Sequence, residues 1–176
     1  CKTFAEFIEK GEKNIGETVS GEKVKLTSSD LDILFHNGFA WWDARLASAH
    51  GTLEVRPCGQ QPANATMSVS ALALGLVENL VEAKKLYEDY SLSEWRKLRF
   101  DTIRHGLGAT INGTQIIPLV KQALSIARKG LQKRSLGEER YLEVFEERLI
   151  NKKIPAYEVK QVFDKNNLQK FFDLVE

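Results

Sequence analysis

Apolar and polar residues alternate most cleanly in HGTLEVRP, residues 50–57, where Leu53 and Val55 interleave with Thr52, Glu54 and Arg56. A period of two predicts a half-buried β-strand at 51–56, with a hydroxyl, a carboxylate and a guanidinium along its polar face. Other stretches follow a helical period. KTFAEFIEKG sets Phe4, Phe7 and Ile8 at helical intervals, with Gly11 as a C-terminal stop. GETVSGEKVKLTSSD predicts short strands or an excursion loop, closed by a helix N-cap at Ser28 or Ser29. LDILFHNGFAWWDARL then leads into the strand.

After Pro62 the pattern becomes helical almost throughout. From Val69 to Tyr87, Leu72, Leu76, Leu80 and Ala83 form one stripe that Ala73 and Val77 widen. This most apolar helix is expected at the centre of the fold. Ser91 to Glu94 reads as a capping box for a helix carrying Trp95, Leu98 and Ile103. GATINGTQ predicts a glycine-punctuated loop or a small hairpin. Ile117, Val120, Leu124, Ala127 and Leu131 mark a helix beginning near Thr114 or Pro118. Two more helices are expected, about 137–152 and 156–174, with Pro155 between them. The strand at 51–56 cannot satisfy its own backbone hydrogen bonds. Its partners are expected in the first 40 residues or outside this chain.

The class that follows is α+β, as one domain or fragment: a strand-containing part at 1–62 and a helical part at 63–176. Composition agrees, since 43% apolar and 28% charged residues in 176 suit a soluble globular chain with a real core. A net charge of +1, without interleaved aromatic and basic residues, speaks against nucleic acid or an anionic membrane as partner. No apolar run approaches the roughly 20 residues that span a bilayer. Cys1 and Cys58 form neither a disulfide framework nor a CxxC pair, so a reducing, cytoplasmic setting is the expectation. The chain starts with Cys, as a processed product, a trimmed chain or a fragment of a longer protein would.

Alternate residues on a strand lie about 6.5–7 Å apart, so Glu54 and Arg56 can act on one ligand. A carboxylate there suits a hard cation such as Mg²⁺, and a guanidinium two residues on suits a phosphate or carboxylate. Together they fit phosphoryl chemistry. An exposed salt-bridge face, worth about 0–1 kcal/mol, produces the same pattern. Trp41 and Trp42 can close a pocket or be ordinary core aromatics, and Asp43 and Arg45 share a face if extended. His36, His50 and His105 lack metal-ligand spacing, Cys58 has no local base, and neither a P-loop nor GxSxG occurs. Arg104, in RHGLG, fits a phosphate contact or a basic helix C-terminus.

WWDARLASAHGTLEVR resembles the signature of the glutamate–cysteine ligase type 2 family, with its Trp-Trp-Asp-x-Arg start and Gly-Thr-x-Glu-x-Arg end. KTFAEFI, ALALGLVENL, WRKLRFDTIRHGL and ALSIARKGLQKR are similar to the plant-type ligases, in the same order; residues 12–35 resemble them least. The resemblance implies the C-terminal part of a glutamine synthetase-like catalytic domain. It implies ATP and Mg²⁺ as cofactors, and ligation of glutamate (or a related acid) to cysteine or another amine through an acyl phosphate, as in glutathione biosynthesis. By motif position it implies a metal-ligating role for Glu54 and substrate or phosphate contacts for Arg56 and Arg45. Trp41, Trp42 and Arg104 follow as pocket or phosphate neighbours. The family's acidic Gly-x-Glu-x-Glu strand is absent, and Pro57, Cys58, Gly59 and Gln60 replace the acidic step that follows the arginine. The resemblance thus implies an N-terminal half as partner, and it allows a homo-oligomer. A carboxylate–amine ligase with another substrate, a non-catalytic binding module and a purely structural helical domain are the competing readings.

Overall fold

The computed structural model describes residues 4–11, 13, 15–31, 44–47, 50–55, 61–163 and 168–169. It divides into two compact units, Cys1–Cys58 and Gly59–Glu176. The class is α+β, a few short antiparallel strands followed by helices.

In the first unit, α1 (Phe4–Gly11) ends at the expected glycine. β1 (Ile15–Glu17) and β2 (Lys23–Lys25) pair as a small antiparallel hairpin. The helical turn at 28–31 is capped one residue earlier than expected. Thr27 Oγ1 accepts from the Asp30 backbone N–H, and the Asp30 carboxylate accepts from the Thr27 N–H at 2.8 Å and its hydroxyl at 2.6 Å. A threonine whose cap is answered three residues on satisfies two orphan N–H groups, which Ser28 and Ser29 do not. Next, β3 (Ala44–Ala47) pairs antiparallel with β4 (Thr52–Val55). Among the described residues the partner of β4 is its immediate predecessor, β3, and not a strand of the first 40 residues. A four-residue connection makes such a hairpin the shortest way to satisfy the backbone.

The second unit is helical, with one small hairpin. The expected continuous helix from Val69 to Tyr87 is two, α2 (Thr66–Glu78) and α3 (Leu80–Glu88), bent by 91°. Asn79 holds the bend. Its side-chain amide donates to the Ile126 carbonyl at 3.2 Å, and its side-chain oxygen accepts from Lys133 at 3.1 Å. Beyond the bend the stripe loses its partner, and Leu80 is 64% exposed. α2 packs through small residues, because Ser68, Ala71 and Gly75 are its buried positions. A Cβ at Gly75 would collide with the Ala127 carbonyl of α5 (Ile117–Arg134), and one at Gly130 would collide with the Gly75 carbonyl. The two backbones touch there, and no side chain fits between them.

Leu124, Ala127, Leu131, Leu142 and Leu149 complete the core around Ala71. Leu142 ends a 3-10 turn and Leu149 lies on α6 (Glu143–Asn151). Pro155 opens α7 (Pro155–Val162) from inside its first turn instead of separating two helices. The expected extension to 174 lies largely outside the described residues. A second cluster forms around α4 (Leu92–His105), where Leu98 meets Ala109, Ile111 and Ile116. Ile103, placed with them by spacing, is 72% exposed. GATINGTQ is the small hairpin, β5 (Thr110–Ile111) and β6 (Thr114–Gln115), turning at Asn112 and Gly113 with φ of 51° and 78°. Two successive positive φ angles are what an Asn-Gly hairpin turn provides. Asp101 accepts from the Thr110 N–H at 2.7 Å and Glu94 accepts from the Asn112 amide, which docks this hairpin on α4.

Candidate active site

The nine-residue step from Arg45 to Glu54 is one turn of the β3–β4 hairpin. Arg45 stands directly opposite Glu54, with Ala47 opposite Thr52 and Ala44 opposite Val55. Directly opposed residues share a face, with Cβ atoms about 4.5–5.5 Å apart. Strand alternation therefore places the Arg45, Ala47, Thr52 and Glu54 positions on one face, and Ala44, Leu46, Leu53 and Val55 on the other. Of Arg45 the backbone position alone is described; Trp41, Trp42 and Arg56 lie outside the described residues.

Burial departs from the expected alternation. Glu54, on the polar face, is half-buried, whereas Val55 on the apolar face is 45% exposed. Thr52 is exposed. A carboxylate withdrawn from water costs free energy unless something polar meets it.

Arg104 belongs to the second unit, in the last turn of α4, with an exposed side chain. Its neighbouring Gly-Leu-Gly segment is not a loose turn. It forms a 3-10 turn, Gly106–Gly108, whose Leu107 N–H donates to the Tyr157 hydroxyl at 3.0 Å. That hydroxyl donates in turn to the His105 carbonyl at 3.3 Å. Tyr157 thereby closes the C-terminus of α4 from α7, a role that no local spacing announces. The other residue pairing that sequence reasoning missed is β3 itself. Its signal was present: Asp43, Arg45 and Ala47 alternate with Ala44 and Leu46.

Among the described residues, no three His, Cys, Asp or Glu side chains gather in a way that could hold a metal ion. Glu54 offers one carboxylate, which by itself is not a complete Mg²⁺ site. Among the described residues the strand pair thus offers one carboxylate and no full metal clamp.

A hairpin that opposes a guanidinium position to a half-buried carboxylate defines a candidate site for charged small-molecule chemistry. The model of glutamate-cysteine ligase family 2 matches residues 12–159, most of the chain, and the chain belongs to that family. The match takes in both strands of the hairpin, α2 to α6 and the Tyr157 latch. Membership makes the class of activity that of a ligase joining a carboxylate to an amine; ligases of this kind generally use ATP and Mg²⁺. Comparison with curated proteins and with solved structures returned no match.

Proposed function

We propose that the chain serves ATP-dependent ligation of the γ-carboxylate of glutamate to the amine of cysteine, in the cytoplasm and toward glutathione, and that it contributes the C-terminal half of the active site. The observation that carries this is the register of the hairpin, with Arg45 opposite the half-buried Glu54, inside the stretch matched by the family. When bound, ATP supplies the phosphoryl group that converts the carboxylate to an acyl phosphate, from which an attacking amine releases phosphate. Arg45 and Arg56 would hold the negative charge that the acid and the phosphoryl group bring together. Guanidinium groups suit this task because they stay charged and bind oxyanions bidentately. Trp41 and Trp42 would wall the pocket, and Arg104 would contact phosphate. Glu54 would give one carboxylate to Mg²⁺, whose remaining donors come from an N-terminal half.

Fixed charges aimed at developing charge usually account for a large share of such a rate. Glu54→Gln in the full-length protein should therefore lower ATP-dependent product formation by about 10²–10³-fold. Thermal unfolding should change by no more than about 1 kcal/mol, as expected for a partly exposed charged group. Unchanged ligation would falsify the role of Glu54. Varying the amine in the same assay reads the substrate, because a carboxylate–amine ligase of another specificity would use a different amine faster than cysteine.

A non-catalytic binding fragment is the second reading, favoured by the lack of a metal-holding cluster among the described residues. Calorimetry of Mg·ATP against the chain separates the two, since tight binding supports the half-site.

A further inference from the structure

The second unit contains a cavity of about 420 Å³ in the groove between α5 and α6, and no residue of the proposed reaction lines it. We propose that this groove binds a small organic carboxylate with an aliphatic body. Lys121 and Ser125 would take the carboxylate, and Leu124, Leu149 and Ile150 would face the aliphatic part.

The placement follows from helical spacing. Lys121, Ser125 and Arg128 stand at i, i+4 and i+7 on α5, so all three occur on one face of that helix. Arg128 is already committed. Its Nε and Nη2 donate to the same oxygen of Glu146 on α6, at 3.1 and 2.7 Å. That pair ties the two helices together and leaves no net charge at its end of the groove. Lys121 lies seven residues away, about 10 Å along the helix axis. Its ammonium has no ion pair or hydrogen bond, and the Ser125 hydroxyl has no hydrogen bond, among the described residues. The groove therefore carries one uncompensated positive charge at one end.

Between the ends the surface is apolar. Leu124 and Leu149 are 4% and 7% exposed and form the floor, while Ile150 stands 77% exposed at the wall. A single ammonium beside a hydroxyl matches a monoanion. A phosphate dianion would call for further free donors, and the apolar floor would strip its water without replacing it. An aliphatic chain running from the carboxylate toward the neutral Arg128–Glu146 end would cover the floor and part of Ile150. Few polar groups converging on an apolar concavity is the usual design of a small-molecule site.

The test is titration of the isotope-labelled full chain with sodium hexanoate, followed by amide shifts. Saturable shifts are expected at residues 121–128 and 146–150. Lys121→Gln should weaken the apparent affinity about tenfold or more, whereas Lys129→Gln, exposed on the same helix, should leave it unchanged. 1-Hexanol should bind at least about tenfold more weakly than hexanoate. Both lysines are exposed, and the spectrum itself reports whether each variant is folded. The proposal is overturned by the absence of saturable shifts in those stretches at tens of millimolar hexanoate, or by equal weakening in both lysine variants. Hexanol binding as well as hexanoate would reduce the groove to an apolar crevice. Inorganic phosphate shifting the same amides with equal affinity would reduce it to a bare anion contact. Either result also overturns the assignment.

Discussion

The α2–α5 helix pair and the β3–β4 hairpin are organised by different demands. In the helix pair every level agrees. Small residues face each other where the backbones touch, leucines fill the space around them, and charges sit at the rim, where Arg134 bonds Glu78 and Glu138 at 2.7 Å each. In the hairpin the levels disagree. Glu54, on the polar face, is half-buried, whereas Val55, on the apolar face, is 45% exposed. A segment whose burial departs from its hydrophobic pattern in this way is where function is expected. Burial alone would have pointed to the helices; the register of charged positions inside the family match points to the hairpin.

The sharpest way to break the comparison is to damage the helix pair. Leu131 is fully buried against Ala71, Leu124 and Leu142. Leu131→Ala should cost about 3–4 kcal/mol, read as a shift in the urea midpoint at constant slope. A loss below about 1 kcal/mol would mean that the helices are loosely packed, and the contrast with the hairpin would disappear.

A smaller effect tests the backbone contact itself. Gly75→Ala adds one Cβ against the Ala127 carbonyl. Overpacking there should cost about 2–3 kcal/mol, offset by about 1 kcal/mol of helix propensity. A net loss of about 1–2 kcal/mol is expected from urea unfolding. A net gain, as at an ordinary exposed helix glycine, would show that the helices do not meet at Gly75.

The sequence made most of the helical unit legible, because helix signals are local. The Ser91 capping box, the start of α5 at Ile117 (beside Pro118, the second of the two expected starts; the first, Thr114, lies in β6) and the Asn112-Gly113 turn each depend on residues within four positions of one another. The bend at Asn79 was not legible, because the Ile126 carbonyl and Lys133 that hold it are 47 and 54 residues away. Val69 to Tyr87 consequently read as one stripe. Tyr157 was hidden for the same reason, its hydroxyl acting 50 residues upstream. In the hairpin the spacing of Arg45 and Glu54 was visible as a motif step. Its meaning as a cross-strand register was not, because LDILFHNGFAWWDARL has the look of a lead-in to a strand, whereas Ala44–Ala47 is itself one.

The gentlest test asks whether the helical unit contains charge that is purely structural. Glu94 completes the cap of α4. Its carboxylate accepts from the Ser91 N–H at 2.6 Å and from the Asn112 amide, while Ser91 Oγ accepts from the Glu94 N–H at 3.3 Å. The hydrogen bonds from Ser91 and then Asn112 pull its pKa down from 4.5 to about 2. Since the folded value lies below the unfolded one, the carboxylate stabilises the fold above about pH 4.5, and this contribution is lost as pH falls toward 2. Ser91→Ala should cost about 1 kcal/mol near neutral pH. Glu94→Gln should differ most from the parent above pH 4.5, and the two stability curves should converge as pH approaches 2. Curves that stay parallel across that window would mean that the Glu94 carboxylate contributes nothing as an anion. In that case Ser91 alone caps α4.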